Sequence, residues 1–146
     1  MFRLNSASIG LALPAMLLSS AAWADLTPSQ VWGDWRQYME GMGYGISASE
    51  TEAGGNLTVS DLTLDMPMPD EGAAVTMTMG TFEFIANGDG SVAIVMPDTL
   101  PMTISATGTD TDPGFTMNLD YTQSDHSMTV SGTPENMTYA YDASTI

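Results

Sequence analysis

Hydrophobic and polar positions along the chain change period once, near Tyr44. Before it, Val31, Trp32, Trp35, Tyr38, Met39 and Met42 recur at spacings of three and four, which traces one stripe along an α-helix. Thr27 to Gln30 has the form of a capping box: the Thr27 hydroxyl can accept the amide three residues on, and the Gln30 side chain can reach back. Pro28 suits the first helical turn, and Gly41, Gly43 and Gly45 stop the helix. Both tryptophans downstream of Ala24 lie in this segment, so the helix must bury them against the rest of the chain.

From Tyr44 onward the period is two. Thr, Val, Ile, Met and aromatic residues alternate with polar ones, and Gly, Pro, Asn and Asp punctuate the run at short intervals. The pattern predicts strands near 44–50, 56–66, 74–86, 91–96, 101–107, 114–122, 126–131 and 136–142. The expected fold is mainly β: an N-terminal amphipathic helix packed on a twisted antiparallel meander of about seven or eight strands, with short links favouring neighbour-to-neighbour pairing. Residues 1–24, 25–43 and 44–146 are then leader, helix and sheet.

The second and third predicted strands fix their own register. The second is apolar at Leu57 and Val59, then at Leu62, Leu64 and Met66; the third is apolar at Val75, Met77 and Met79, then at Phe82 and Phe84. Setting Met66 opposite Val75, Leu64 opposite Met77, Leu62 opposite Met79, Val59 opposite Phe82 and Leu57 opposite Phe84 pairs every apolar residue with another. A slip of one residue would oppose each to a polar side chain. Both changes of phase then fall on the rungs Ser60/Thr81 and Asp61/Gly80, where a bulge or bend at Gly80 is expected. On this reading the apolar face crosses from one side of the hairpin to the other. The Gly88-Asp89-Gly90 link suits a tight hairpin that carries the Phe82 and Phe84 face to Val92, Ile94 and Met96, and on to Met102 and Ile104. Phe115, Met117, Leu119 and Tyr121 alternate with Thr116, Asn118, Asp120 and Thr122, which reads as a half-buried strand. The last strand leaves an exposed edge, and the chain is read as a fragment of a longer protein.

Met1 to Ala24 has the parts of a signal peptide: Arg3, an apolar run from Ile9 to Leu18, and Ala22-Trp23-Ala24 at its exit. The run is too short to span a bilayer, which takes about 20 apolar residues. The expectation is a periplasmic or secreted protein with no transmembrane segment. Removing the leader leaves eighteen acidic side chains against one basic one, Arg36. Such a surface repels phosphate backbones and excludes nucleic acid as a partner. The absence of cysteine excludes disulfides, thiolate nucleophiles and Cys-ligated metals.

Candidate chemistry is sparse. Methionine is abundant, at 13 residues. Met77 and Met79 have the spacing that sets two thioethers on one strand face, a ligand type suited to Cu(I), although alternating methionines also fill cores. Asn87-Gly88-Asp89-Gly90 and Asp110-Thr111-Asp112-Pro113-Gly114 offer oxygens to calcium without EF-hand spacing, and they are equally the residues that turns require. Ser124-Asp125-His126 has triad components, but adjacent turn residues do not converge on one point. No catalytic residue, cofactor or metal site is therefore assigned, and the protein is read as a non-enzyme.

Leu26-Thr27-Pro28 leading to Val31-Trp32, then Asn56-Leu57-Thr58-Val59, then Met96-Pro97-Asp98-Thr99-Leu100-Pro101-Met102, resembles the N-terminal portion of an exported alphaproteobacterial family of unknown function, number twenty-one twenty-five. The resemblance implies a longer, β-rich exported chain, similar to periplasmic lipid-transport proteins whose sheets curl into apolar grooves. The leading expectation is an apolar or lipid ligand held on a Met- and aromatic-lined sheet face by Trp32, Trp35, Phe82, Phe84, Met77 and Met79. The rivals are a structural or interaction module that meets envelope proteins without a ligand, and a Met-based copper protein.

Overall fold

A computed structural model describes residues 25–68, 73–108 and 113–144. The leader Met1–Ala24 and the turn residues Asp110 to Asp112 lie outside the described residues. One helix, α1 (Pro28–Gly41), precedes nine strands: β1 (Gly45–Ala53), β2 (Asn56–Met68), β3 (Ala73–Met79), β4 (Phe82–Ala86), β5 (Val92–Val95), β6 (Thr99–Ala106), β7 (Phe115–Thr122), β8 (Ser127–Thr133) and β9 (Asn136–Asp142). The capping box forms as read. Thr27 accepts from the Gln30 amide at 3.3 Å, and the Gln30 side chain accepts from the Thr27 amide at 2.9 Å. All strands are antiparallel and belong to one sheet.

The register of β2 is the expected one on every described rung. Met66, Leu64 and Leu62 pair with Val75, Met77 and Met79, and Val59 and Leu57 pair with Phe82 and Phe84. The break also falls where expected, and it divides the single strand predicted over 74–86 into β3 and β4. The consequence for the faces is different. Leu57, Val59, Leu62 and Leu64 are all buried in one cluster with Phe82 and Phe84, so the apolar face does not cross the hairpin. The reason lies at Asp61, whose φ of 53° is left-handed. There the β1–β2 pairing steps from Ser47↔Thr63 to Ser49↔Ser60, with three residues of β2 spanned by two of β1. The extra residue of a bulge turns the alternation over once, and the change of phase in the sequence turns it back. The two cancel, and one face stays apolar.

The pairing order departs from a meander. Along the sheet it runs β7-β6-β3-β2-β4-β5-β8-β9, with β1 on the other edge of β2. Because β2 is longer than either partner, β3 and β4 share one of its edges and each leaves its own outer edge open. β5 takes the edge of β4 through the Gly88-Asp89-Gly90 turn, as expected. β6 then returns to β3, not β5, so Met102 and Ile104 face Met79 and Met77. This return needs a close approach at Gly80. A Cβ there would lie 3.2 Å from Leu100 Cδ1 and 3.3 Å from Pro101 Cδ. β8 fills the remaining edge, on β5.

The helix lies over the β4 half of the apolar face. Trp32 meets Phe84 at a centroid distance of 6.0 Å, and Trp35 meets Phe82 and Phe84 edge-on at 5.9 and 5.4 Å. Its polar flank reaches β1, where Glu50 pairs with Arg36 and Glu52 accepts from Ser29.

Candidate functional site

Directly opposed residues on neighbouring strands point to the same side of a sheet, so the ladders of the β1-β2-β3-β6-β7 half define two faces. One carries the row Ile46, Leu64, Met77, Ile104, Met117, flanked by Leu62, Met79, Met102, Leu119 and by Met66, Val75, Ala106, Phe115. The other carries Ser47, Thr63, Thr78, Thr103, Asn118 and, beside it, Asp65, Thr76, Ser105, Thr116. The polar rows bond laterally: Thr76 donates to Asp65 at 2.8 Å, Thr103 to Asn118 at 3.0 Å, and the Ser105 and Thr116 hydroxyls meet at 3.3 Å. This half is thus apolar on one side and a hydroxyl ladder on the other.

The apolar side is covered unevenly. Leu62 and Leu64 are buried, Met77, Met79 and Met102 are half-buried against the core, and β7 lies open. Phe115 is 56 % exposed, Met117 42 % and Leu119 38 %, while Tyr121 is half-buried. The half-buried strand read from the alternation over 115–122 is therefore corrected: β7 pairs through β6 alone, and α1 packs against β1, β2 and β4, leaving its apolar row uncovered. The exposure falls steadily toward Tyr121. There the sheet curls: Tyr121 on β7 lies beside Tyr141 on β9, although these strands stand at opposite ends of the pairing order. Tyr141 also donates to the buried Gln123 at 3.0 Å, and the Tyr121 neighbour and desolvation raise its pKa, desolvation most. Tyr121 and Tyr141 both belong to apolar rows, so the apolar face lines the inside of the curl.

A second concavity lies between α1 and β9. It is a cleft of about 660 Å³ lined by Asp34, Trp35, Gln37, Tyr38, Met39 and Tyr139. The Tyr139 hydroxyl donates to Asp34 Oδ2 at 2.6 Å. Burial, first, and the adjoining Asp34 carboxylate hold the Tyr139 phenol far above its ordinary pKa, with the Trp35 side chain acting the other way.

The structure divides the six residues read as ligand-lining. Trp32, Phe82 and Phe84 are interior and touch one another or Trp35, so they are the floor on which the helix rests. Trp35 bridges that floor and the α1–β9 cleft. Met77 and Met79 are half-buried on β3, on the way to the open strand, and pairing adds Met102 directly opposite Met79. Sequence reasoning passed over Asp34, though a carboxylate three residues after Val31 and four before Tyr38 interrupts an otherwise apolar helical stripe and was a legible signal.

The remaining candidates go elsewhere. His126 Nε2 lies 2.9 Å from the Met96 carbonyl, while Asp125 accepts from Ser144 at 3.1 Å, so Ser124, Asp125 and His126 do not converge. Asp89 accepts from the Ser91 amide at 3.0 Å and from its hydroxyl at 2.6 Å, which closes the turn and holds the Asp89 carboxyl below its ordinary pKa.

The chain matches no protein-family model, no curated protein and no solved structure. No helix among the described residues is long and apolar enough to cross a membrane.

Proposed function

We propose that the protein is an exported, non-enzymatic member of the family it resembles, and that it holds an apolar ligand such as a lipid tail inside the curl of its sheet. The observation that carries this reading is the row Phe115, Met117 and Leu119, an uncovered continuation of the same face that is core three strands away, at Leu62 and Leu64. A contiguous apolar surface of this kind marks a binding site more often than a solvent face. Methionine suits it, because a flexible, polarisable thioether adapts to ligands of loosely defined shape. A non-enzymatic role fits the turning of His126 to the Met96 carbonyl while Ser124 and Asp125 both accept from Ser144.

Native mass spectrometry after gentle purification, with titration of a neutral polarity-sensitive dye such as N-phenylnaphthylamine, tests the reading. A co-purified apolar ligand, or saturable dye uptake lost in Met117→Asp with Leu119→Asp, is the expected result. A protein that emerges bare and takes up no dye is not a carrier. The open row would then be the contact surface of a structural or interaction module of the envelope.

A further inference from the structure

We propose that the cleft between α1 and β9 binds a soluble alkylammonium cation, of the trimethylammonium type, between Trp35, Tyr38 and Tyr139 with Asp34 as its counter-charge. Three observations converge on it. The first is composition: three of the six lining residues are aromatic, and one more, Met39, is a thioether. Aromatic faces attract weakly hydrated cations, and quaternary ammonium groups are the ligands such walls suit best. The second is the placement of Asp34. It is the one charged side chain lining the cleft, and its Oδ2 is fixed by Tyr139 while Oδ1 has no hydrogen bond among the described residues. Trp35 and Met39 lie one turn apart on the helix, as do Asp34 and Tyr38, so wall and counter-charge are presented side by side.

The third is the absence of competing cations. Arg36 is the one lysine or arginine among the described residues. It already pairs with Glu50 and lies 5.2 Å over the Trp32 ring, on the flank facing β1. Among the described residues no lysine or arginine stands ready to receive a carboxylate or phosphate, and the formal charge of −16 favours any cation that approaches. The cleft thus selects by charge as well as by shape. The site does not depend on a lipid in the sheet curl, since a head group without a tail is its ligand.

Calorimetric titration of the whole protein with choline chloride tests this, with sodium chloride matching the ionic strength and 3,3-dimethylbutanol as the uncharged isostere. Choline is expected to bind saturably and at least about tenfold more tightly than the alcohol. Asp34→Asn, which preserves the acceptor for Tyr139, and Tyr38→Ala, at a side chain already 69 % exposed, should each weaken choline by about three- to tenfold. Asp120→Asn on the polar face of β7 removes the same charge and should leave choline binding unchanged. Equal binding of choline and its isostere, or equal loss in Asp34→Asn and Asp120→Asn, would overturn the site. Binding to phosphatidylcholine vesicles without binding of free choline would also reject it, in favour of a membrane surface.

Discussion

At the scale of the residue, the Tyr139–Asp34 contact ties β9 to the helix. Burial, first, and the Asp34 carboxylate favour the neutral Tyr139 phenol over the phenolate. The folded-state pKa of Tyr139 is raised, so the neutral phenol is favoured on folding. That stability is fully present below the unfolded tyrosine value near 10 and is lost as pH climbs from there toward the folded value. Thermal melts at a series of pH values from 8 to 11 should therefore show a decline beginning near pH 10. The decline should be shallower in Tyr139→Phe, with a residual slope from Tyr141, whose pKa is also raised. Identical slopes in the two proteins would mean that the hydrogen bond to Asp34 does not persist in solution. A different residue-level feature, Trp32, shows how the one lysine or arginine among the described residues is used: the guanidinium of Arg36 covers its ring, while Phe84 packs against it at a tilt.

At the scale of the element, the bulge at Asp61 decides the fold. A left-handed conformation costs an ordinary L-residue about 1–2 kcal/mol, Asp somewhat less, and glycine almost nothing. Asp61→Gly should leave the denaturation midpoint unchanged or raise it slightly, whereas Asp61→Val should lower stability by about 1–2 kcal/mol in urea unfolding. A tolerated valine would show that the register does not need the bulge. This is also where the legibility of the sequence had its limit. The rungs Leu57/Phe84 through Met66/Val75 could be read directly, because pairing apolar with apolar leaves one acceptable register. The location of the break could be read too, from the simultaneous change of phase in two strands. Its sense could not, since an alternation that flips in the sequence looks the same whether or not the backbone adds a compensating residue. The return of β6 to β3 was hidden for another reason. Chain proximity favours β5, and only the edge left free beyond Gly80 makes the longer connection the better one. Of the site, the methionines at 77 and 79 and the aromatic floor were legible as one apolar face. Which of them are covered depends on where the helix lies, and no periodicity records that.

At the scale of the whole molecule, charge and coverage pull in different directions. Eighteen carboxylates face almost no basic partners, so their mutual repulsion opposes compaction. Screening weakens it: the Debye length shortens from about 30 Å at 0.01 M salt to about 10 Å at 0.1 M. The melting temperature should rise by several degrees between those two concentrations in differential scanning fluorimetry. A flat or falling trend would show that the acids are far enough apart for solvent alone to quiet them. The same repulsion lets an uncovered apolar row remain at the surface, because two such molecules resist approaching one another closely enough to bury it.

The seam where Tyr121, Tyr141 and Gln123 draw together the first and last strands of the pairing order has a further meaning. A sheet forked at β2 has three outer backbone margins, on β1, β7 and β9, each a template on which another chain could crystallise. Drawing the β7 and β9 margins together at one end shortens what either offers a neighbour, while the outer margin of β1 stays free. Two of the sheet's three margins are thereby blunted where they meet.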